Sequence, residues 1–319
     1  MLNLNPMHSL SQLKRAIEPH LKDVDGIIDT AFKKSECPTL KQMYHHLSQS
    51  KGKQIRASLI VIISTMISTP VSPAITRLAA GIELIHLASL IHDDIIDDAP
   101  IRRNQATIHN AFGTNNAIIS GVHCYALALE LVTSIGNIQV LNIISTSVLH
   151  LCEGESIQFN ERHNYDLTFD QYWTIVRKKT SALFVAACKS AGILCDLHED
   201  DLHHLSQFAE ALGSIFQLSD DYLDIFDTNN ALSKKVLQDL NCGDISLPIL
   251  LASNQCKVKD ATSIKAYLSN HATEISKHIE TELISKKQDA LSHLTHISAA
   301  YDTNQLVKLL DIITQRVLG

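Results

Sequence analysis

Little in this 319-residue chain punctuates it: 11 glycines, 7 prolines and a single tryptophan, with aromatics at 5%. A chain so poor in turn formers, with Ala, Leu, Ile, Glu, Lys and Gln recurring at i, i+3 and i+4, leaves little room for turn-bounded strands, and none is convincing. The seven cysteines are scattered and include no C-x-x-C pair, which argues against a disulfide framework and against a cysteine zinc site. Seventeen histidines are present, yet no H-E-x-x-H spacing occurs. No basic stripe offsets the net charge of −7, so a nucleic-acid partner is not expected. The first ten residues lack a basic segment followed by an apolar core, and the most apolar run, Ala57 to Thr69, is too short to span a bilayer. These absences point to a soluble, cytoplasmic, all-helical protein. With no internal repeat and no linker rich in Pro, Gly or Ser, residues 1–319 are expected to form one domain.

Against this background two acidic clusters stand out. His92 to Arg103 reads H-D-D-I-I-D-D-A-P-I-R-R and follows an apolar stretch, Leu78 to Ile91, at helical spacing. Helical pitch puts Asp93 and Asp97 one turn apart on one face, with Asp94 beside them. Carboxylates so placed repel one another unless they are solvated or bridged by a hard cation, and Mg²⁺ bound through one or two carboxylates plus substrate phosphates is the common arrangement. Pro100 stops the helix, and Arg102 and Arg103 follow with donor forks suited to phosphate. An acidic run alone is more simply a solvated face. Repetition of the pattern weighs against that reading. Phe216 to Asp224 reads F-Q-L-S-D-D-Y-L-D, with Asp220 and Asp224 at i, i+4 and Asp221 adjacent, again late in an amphipathic run. Two such clusters on long helices are expected to face each other across a cavity.

The other segments read as helices with a few marked polar positions. Residues 9–33 and 38–50 are amphipathic, the first expected to break near Pro19. In G-K-Q-I-R, Gly52, Lys53 and Arg56 set two cations at a helix start, by itself a weak anion-site signal. Residues 104–112 read as a loop, and a long helix ending near Phe159 carries Glu155 and Gln158 on one face, read as members of a buried polar network. Phe169 to Ile193 reads as one helix. Lys179 and Thr180 lie at its centre, where a cation must meet something anionic or snorkel to the surface. Asp227 to Lys235 has the composition of a mobile flap, and shorter helices finish the chain near Arg316.

Together these motifs resemble the trans-polyprenyl diphosphate synthases. G-K-Q-I-R, H-D-D-I-I-D-D with R-R, G-E-S-I-Q, K-T-S-A-L-F, F-Q-L-S-D-D-Y-L-D and L-P-I-L occur in that family's order between about Gly52 and Arg316. The resemblance implies an all-α fold, a single large helical bundle around a central cavity. It implies a prenyltransferase that joins isopentenyl diphosphate to an allylic diphosphate, farnesyl or geranyl diphosphate, giving a long-chain product for a quinone side chain. By the same resemblance Asp93, Asp94, Asp97, Asp220, Asp221 and Asp224 hold a set of Mg²⁺ ions, and Arg102, Lys179 and Lys234 bind the allylic diphosphate. Gln217 and Thr180 line its path. Lys53, Arg56, His86 and Arg103 hold isopentenyl diphosphate. Ala88 and Ser89 stand five and four residues before Asp93, about 6 to 8 Å deeper along the helix, and are small enough to let a growing tail pass. A homodimer is also implied. On this reading, alanine at Asp94 or Asp221 lowers turnover by at least about 10²-fold and hardly disturbs the fold.

The chain departs from the family at Val122 for an aspartate, at Asn104-Gln105 after the paired arginines, at Ser233 and Leu237 for glycines beside the flap lysine, and at Asp244 for a lysine. The last reverses a charge expected near the allylic diphosphate, unless Lys234 or Lys235 neutralises it. Two other readings stand beside the synthase: a weakly active or regulatory subunit that binds without catalysis, and a histidine-aspartate metal phosphohydrolase keyed on His92-Asp93.

Overall fold

The computed structural model describes residues 6–50, 52–67, 70–226 and 237–318, with the side chains of the first helix from residue 11 onward. Helix dominates the described residues, which group into two compact units. The amino-terminal unit is formed by Lys14–Ser145 and Ala186–His198, the carboxy-terminal unit by Met1–Leu13, Thr146–Val185 and Glu199–Gly319.

In the amino-terminal unit, α1 (Pro6–Lys33) runs through Pro19 without the expected break. Pro19 is exposed, whereas Ile17, Leu21 and Val24 are buried on both sides of it, so the apolar face continues past the missing N–H. That packing offsets a proline cost of about 3 kcal/mol. After α2 (Pro38–Ser48), α3 (Ile55–Ile67) is buried at every residue from Ile55 to Ser64. A helix enclosed on all sides must be mostly apolar, and the buried Arg56, Ser58 and Ser64 are its polar exceptions. Next, α4 (Pro73–Ile96) opens with Pro73 after the N-cap Ser72, whose side chain accepts from the Ile75 N–H.

Against α4 lies α6 (Thr114–Thr133). A Cβ on Gly81 would stand 2.9 Å from Val132 Cγ2, and one on Gly121 would overlap the His92 ring. Residue 81 meets 132 and residue 92 meets 121, so the two helices are antiparallel, and the glycines permit the approach. By length and composition alone α4 and α6 could each cross a membrane, but 61% of the apolar window of α4 is buried within the protein. Between them the chain forms a hairpin, β1 (Ile101–Arg102) with β2 (Gln105–Ala106), and the short α5 (Ile108–Phe112), where a loop is expected from sequence. The segment is too short for a period to register, and turn geometry decides it.

In the carboxy-terminal unit, α10 (Glu199–Phe226) packs on α14 (Ala272–His296). Leu218, Leu247, Ile249, Leu250, Ile264, Ile279 and Leu283 fill the core together with α12 (Leu247–Ser253) and α13 (Ala261–Asn270). The segment expected as one helix from Phe169 is α8 (Phe169–Ile175), a π-helical turn (Val176–Ser181) and α9 (Ala182–Leu194). Glycines on two flanking helices admit the widened turn. A Cβ on Gly154 of α7 (Ile138–Asn160) would lie 2.6 Å from the Lys179 nitrogen, and one on Gly213 2.6 Å from Ser181 Cα. Such bulges recur at functional sites, and their space comes from partner helices that local propensity cannot register. The short α11 (Gln238–Cys242) and the terminal α15 (Asn304–Leu318) complete the unit.

Candidate active site

The first acidic cluster sits where α4 ends. Asp93 and Asp94 occupy its last turn, and Asp97 is the C-cap, its N–H donating to the Asp93 carbonyl at 2.8 Å. The hairpin turn that follows has positive φ at both central residues, Arg103 at 51° and Asn104 at 62°, the geometry that matches a two-residue hairpin to strand twist. It returns Arg102 to the helix end, where its Nε donates to Asp94 Oδ1 at 2.6 Å. Asp94 is only 6% exposed: burial pushes its carboxyl up, and Arg102 pulls it back. Asp93 and Asp97 are half-buried.

Beside this cluster a basic group assembles. Arg103 lies over Gly52, where a Cβ would stand 2.9 Å from its guanidinium, so Gly52 serves as a seat for the arginine. Gln54, at a φ of 47°, turns the chain into α3, and the Ala57 N–H donates to Glu83 Oε1 at 3.0 Å. Burial raises the Glu83 carboxyl, opposed by that N–H and by the charges of Arg56, Lys14 and Arg103. His86, next along α4, is held well below the usual imidazole range by burial and then by Arg56, Arg103 and Arg102. It is therefore a neutral hydrogen-bonding group at pH 7. The structure thus brings Arg56, His86, Arg103 and Arg102 into one neighbourhood, while Lys53 is exposed and near Lys14. Glu83 and Lys14 are additions to the expected set. Glu83 offers one sequence signal, a carboxylate three residues before His86 inside an apolar run; Lys14, one cation on an amphipathic helix, offers none.

In the second cluster the three aspartates have three different partners. Asp220 Oδ1 accepts from Arg316 Nη2 at 2.6 Å, and the same guanidinium lies 5.5 Å from the Phe216 ring centroid. Asp221 is 2% exposed and accepts from Tyr172 Oη (2.7 Å), the Leu247 N–H (2.9 Å) and Gln217 Nε2 (2.7 Å). Asp224 accepts from the N–H groups of Gln238 (3.0 Å) and Asp239 (3.3 Å), which ties α10 to the start of α11. Burial raises Asp221 to about 6 against the pull of those three donors, and raises Asp239 well above the carboxylate range, with Asp224, Asp221 and Asp244 adding to it.

The π-turn joins this network. Thr180 Oγ1 donates to Gln217 Oε1 at 2.7 Å, so Thr180, Gln217, Asp221 and Tyr172 form one chain of hydrogen bonds. Lys179 meets the Glu155 carboxylate at 2.5 Å, the anionic partner that its apolar surroundings demand. Lys234 lies outside the described residues.

Several expectations change. The six aspartates that the resemblance assigns to Mg²⁺ differ in burial and in partners. Among the described residues no three His, Cys, Asp or Glu side chains stand ready to hold a metal by themselves. Asp94 and Asp221 are buried and held by donors, and Asp224 is held by two backbone N–H groups, whereas Asp93, Asp97 and the Arg316-paired Asp220 keep accessible surface, as suits a hard cation that takes only one or two protein ligands. His92 turns from the cluster to α6, its ring over Gly121 and its Nε2 3.4 Å from the Ile118 carbonyl, so the phosphohydrolase reading loses its histidine ligand. Ala88 is fully buried, whereas Ser89 keeps exposed surface and its Oγ donates to the His86 carbonyl at 2.8 Å.

Asp244 is paired, as the neutralised alternative requires, but to Arg162: Nε donates to Oδ1 at 2.9 Å and Nη2 to Oδ2 at 3.4 Å. Asp244→Lys should therefore set two cations together in a mostly buried position, lowering the thermal midpoint by several degrees and leaving the allylic KM no better. A lower KM at unchanged stability would show that Asp244 faces the diphosphate instead.

Comparison with known proteins places the chain in a family. The model of the Polyprenyl synthetase family matches residues 37–283. The octaprenyl diphosphate synthase of Escherichia coli (strain K12) is 33% identical over 231 residues, 72% of this chain and 71% of that protein. Heptaprenyl diphosphate synthase component 2 of Geobacillus stearothermophilus is 32% identical over 227 residues, 71% of each chain. In three dimensions the decaprenyl diphosphate synthase from Rhodobacter capsulatus superposes with a TM-score of 0.88 at 25% identity, covering 97% of this chain and 99% of the other. The chain belongs to the polyprenyl synthetase family.

Proposed function

We propose that the protein is a trans-prenyltransferase that condenses isopentenyl diphosphate with an allylic diphosphate, farnesyl or geranyl diphosphate, to give a long-chain all-trans polyprenyl diphosphate that serves as a quinone side chain. The observation that carries this reading is the neighbourhood of Arg56, His86, Arg102 and Arg103 beside the half-buried Asp93 and Asp97. Diphosphates need cations and hydrogen-bond donors together, and this neighbourhood supplies both. Mg²⁺, when bound, neutralises charge developing on the departing diphosphate. Asp93 and Asp97 of the amino-terminal unit would hold such an ion, and so would Asp220 of the carboxy-terminal unit. Asp94 positions Arg102, Asp221 fixes Gln217 and through it Thr180, and Arg56, His86 and Arg103 orient isopentenyl diphosphate, with Glu83 keeping the cations in place. The proton lost after carbon–carbon bond formation would pass to the pyrophosphate released from the allylic substrate.

We place the chain in the cytoplasm as a single catalytic domain, a reading supported by unit boundaries that fall inside α7 and α9. A homodimer is supported by Ile118, Ile119, Val122 and Leu129, an exposed apolar strip on α6. A second reading, one component of a two-part synthase, is favoured by the name of the Geobacillus relative, component 2. The pure protein supplied with labelled isopentenyl diphosphate, farnesyl diphosphate and Mg²⁺ decides. Long-chain product from this chain alone supports the first reading. No turnover alone, restored by a second protein, supports the component, and hydrolysis without condensation defeats both.

Chain length tests the passage. Ser89→Phe should shorten the product, because the ring enters space that Ser89 borders. Ala88→Phe, in a filled core, should instead destabilise the protein by about 1–3 kcal/mol. The product-length distribution and the melting curve of each variant report which position lines the passage.

A further inference from the structure

About four turns of α10 before Asp220 and Asp221, where α10 begins and α14 ends, four histidines collect. His204 Nδ1 and His293 Nδ1 are 3.2 Å apart, the His296 ring stacks on that of His204 at 4.8 Å and 19°, and the His203 ring stands 5.5 Å from it. Two imidazole nitrogens bound to one tetrahedral zinc, each at about 2.0–2.1 Å, lie roughly 3.3 Å apart. The observed pair already has that separation. On the far side of its ring, His293 Nε2 is 3.6 Å from Asp289 Oδ1, one turn back along α14. That carboxylate favours positive charge near the ring without hydrogen-bonding to it, and an ion binding both Nδ1 atoms would displace the one proton that the hydrogen-bonded pair shares. His296 Nδ1 lies 2.7 Å from the Ser292 carbonyl, which leaves Nε2 as its second donor atom. None of these residues takes part in the proposed prenyl transfer.

We infer that His204 and His293 form a surface site for a borderline transition-metal ion of the zinc class, which ties the start of α10 to the end of α14. Imidazole selects such ions over the hard Mg²⁺ of the acidic clusters. Two nitrogens are in place, and water or a rotated His296 completes the shell. An ion shared by the two helices stabilises only their packed arrangement, so it acts on the folded state alone.

The test is a titration of the full-length protein with ZnCl₂ in excess Mg²⁺, followed by calorimetry and by thermal melting. The expected result is one tightly bound equivalent and a midpoint raised by about 3 °C or more at saturation. His204→Gln and His293→Gln should each abolish that equivalent. His278→Gln, on an exposed position of the same helix, should keep it. Mg²⁺-dependent turnover without zinc should be alike in all three variants. Absence of a zinc response in the unaltered protein overturns the proposal. So does an undiminished response in both His204→Gln and His293→Gln, since the zinc is then bound elsewhere. The two histidines are on different helices, so a folding defect in one variant leaves the other to decide.

Discussion

Asp221→Ala should cost about 3–5 kcal/mol of folding free energy and at least about 10²-fold in turnover. Alanine leaves the Tyr172 hydroxyl, the Leu247 N–H and Gln217 Nε2 without their acceptor in a site that is 2% exposed. Each buried donor so stranded costs about 1–3 kcal/mol, and neighbours sharing one acceptor do not add fully. The turnover loss follows because Gln217 and Thr180 lose their anchor. Denaturant unfolding measures the first effect, and steady-state assay of the fraction still folded measures the second. A variant as stable as the parent would contradict the burial of this carboxylate. The same residue gives stability a pH dependence. Its folded pKa, about 6, lies above the ordinary 3.8, so the folded state takes up the proton first. The contribution of Asp221 to stability is therefore lowest above pH 6 and rises on acidification towards pH 3.8, by on the order of 3 kcal/mol. In Asp221→Asn this slope should be absent.

Asp93→Ala, by contrast, should lower turnover by at least about 10²-fold while leaving the melting midpoint within a degree or so of the parent. Asp93 is half-buried at the end of a helix, and removing one of several neighbouring carboxylates relieves repulsion. Asp94→Ala should lose activity and stability together, because the mostly buried Asp94 is the acceptor that holds the Arg102 guanidinium. Raised Mg²⁺ should partly rescue Asp93→Ala, whose loss is one of metal affinity, and should do nothing for Asp94→Ala. Equal Mg²⁺ rescue of both variants would return Asp94 to the set of metal ligands.

The contrast between these neighbours marks how far sequence carries. The helical class follows from sequence alone: glycine and proline are too few to close many turns, and apolar residues recur at a helical period. The two D-D-x-x-D clusters, the paired arginines and the G-K-Q-I-R segment are local patterns, and local spacing determines which side chains share a helix face. What a carboxylate meets across the fold is decided only in three dimensions. Tyr172, Leu247 and Arg316 lie 49, 26 and 96 residues from the aspartates they hold, and no local period relates them. The same holds for Arg162 against Asp244, for Glu83 among its cations, and for the π-turn that Gly154 and Gly213 admit. Pairing within a helix is set by pitch, which sequence encodes directly, whereas pairing between helices depends on packing depth and crossing, which the whole core settles at once.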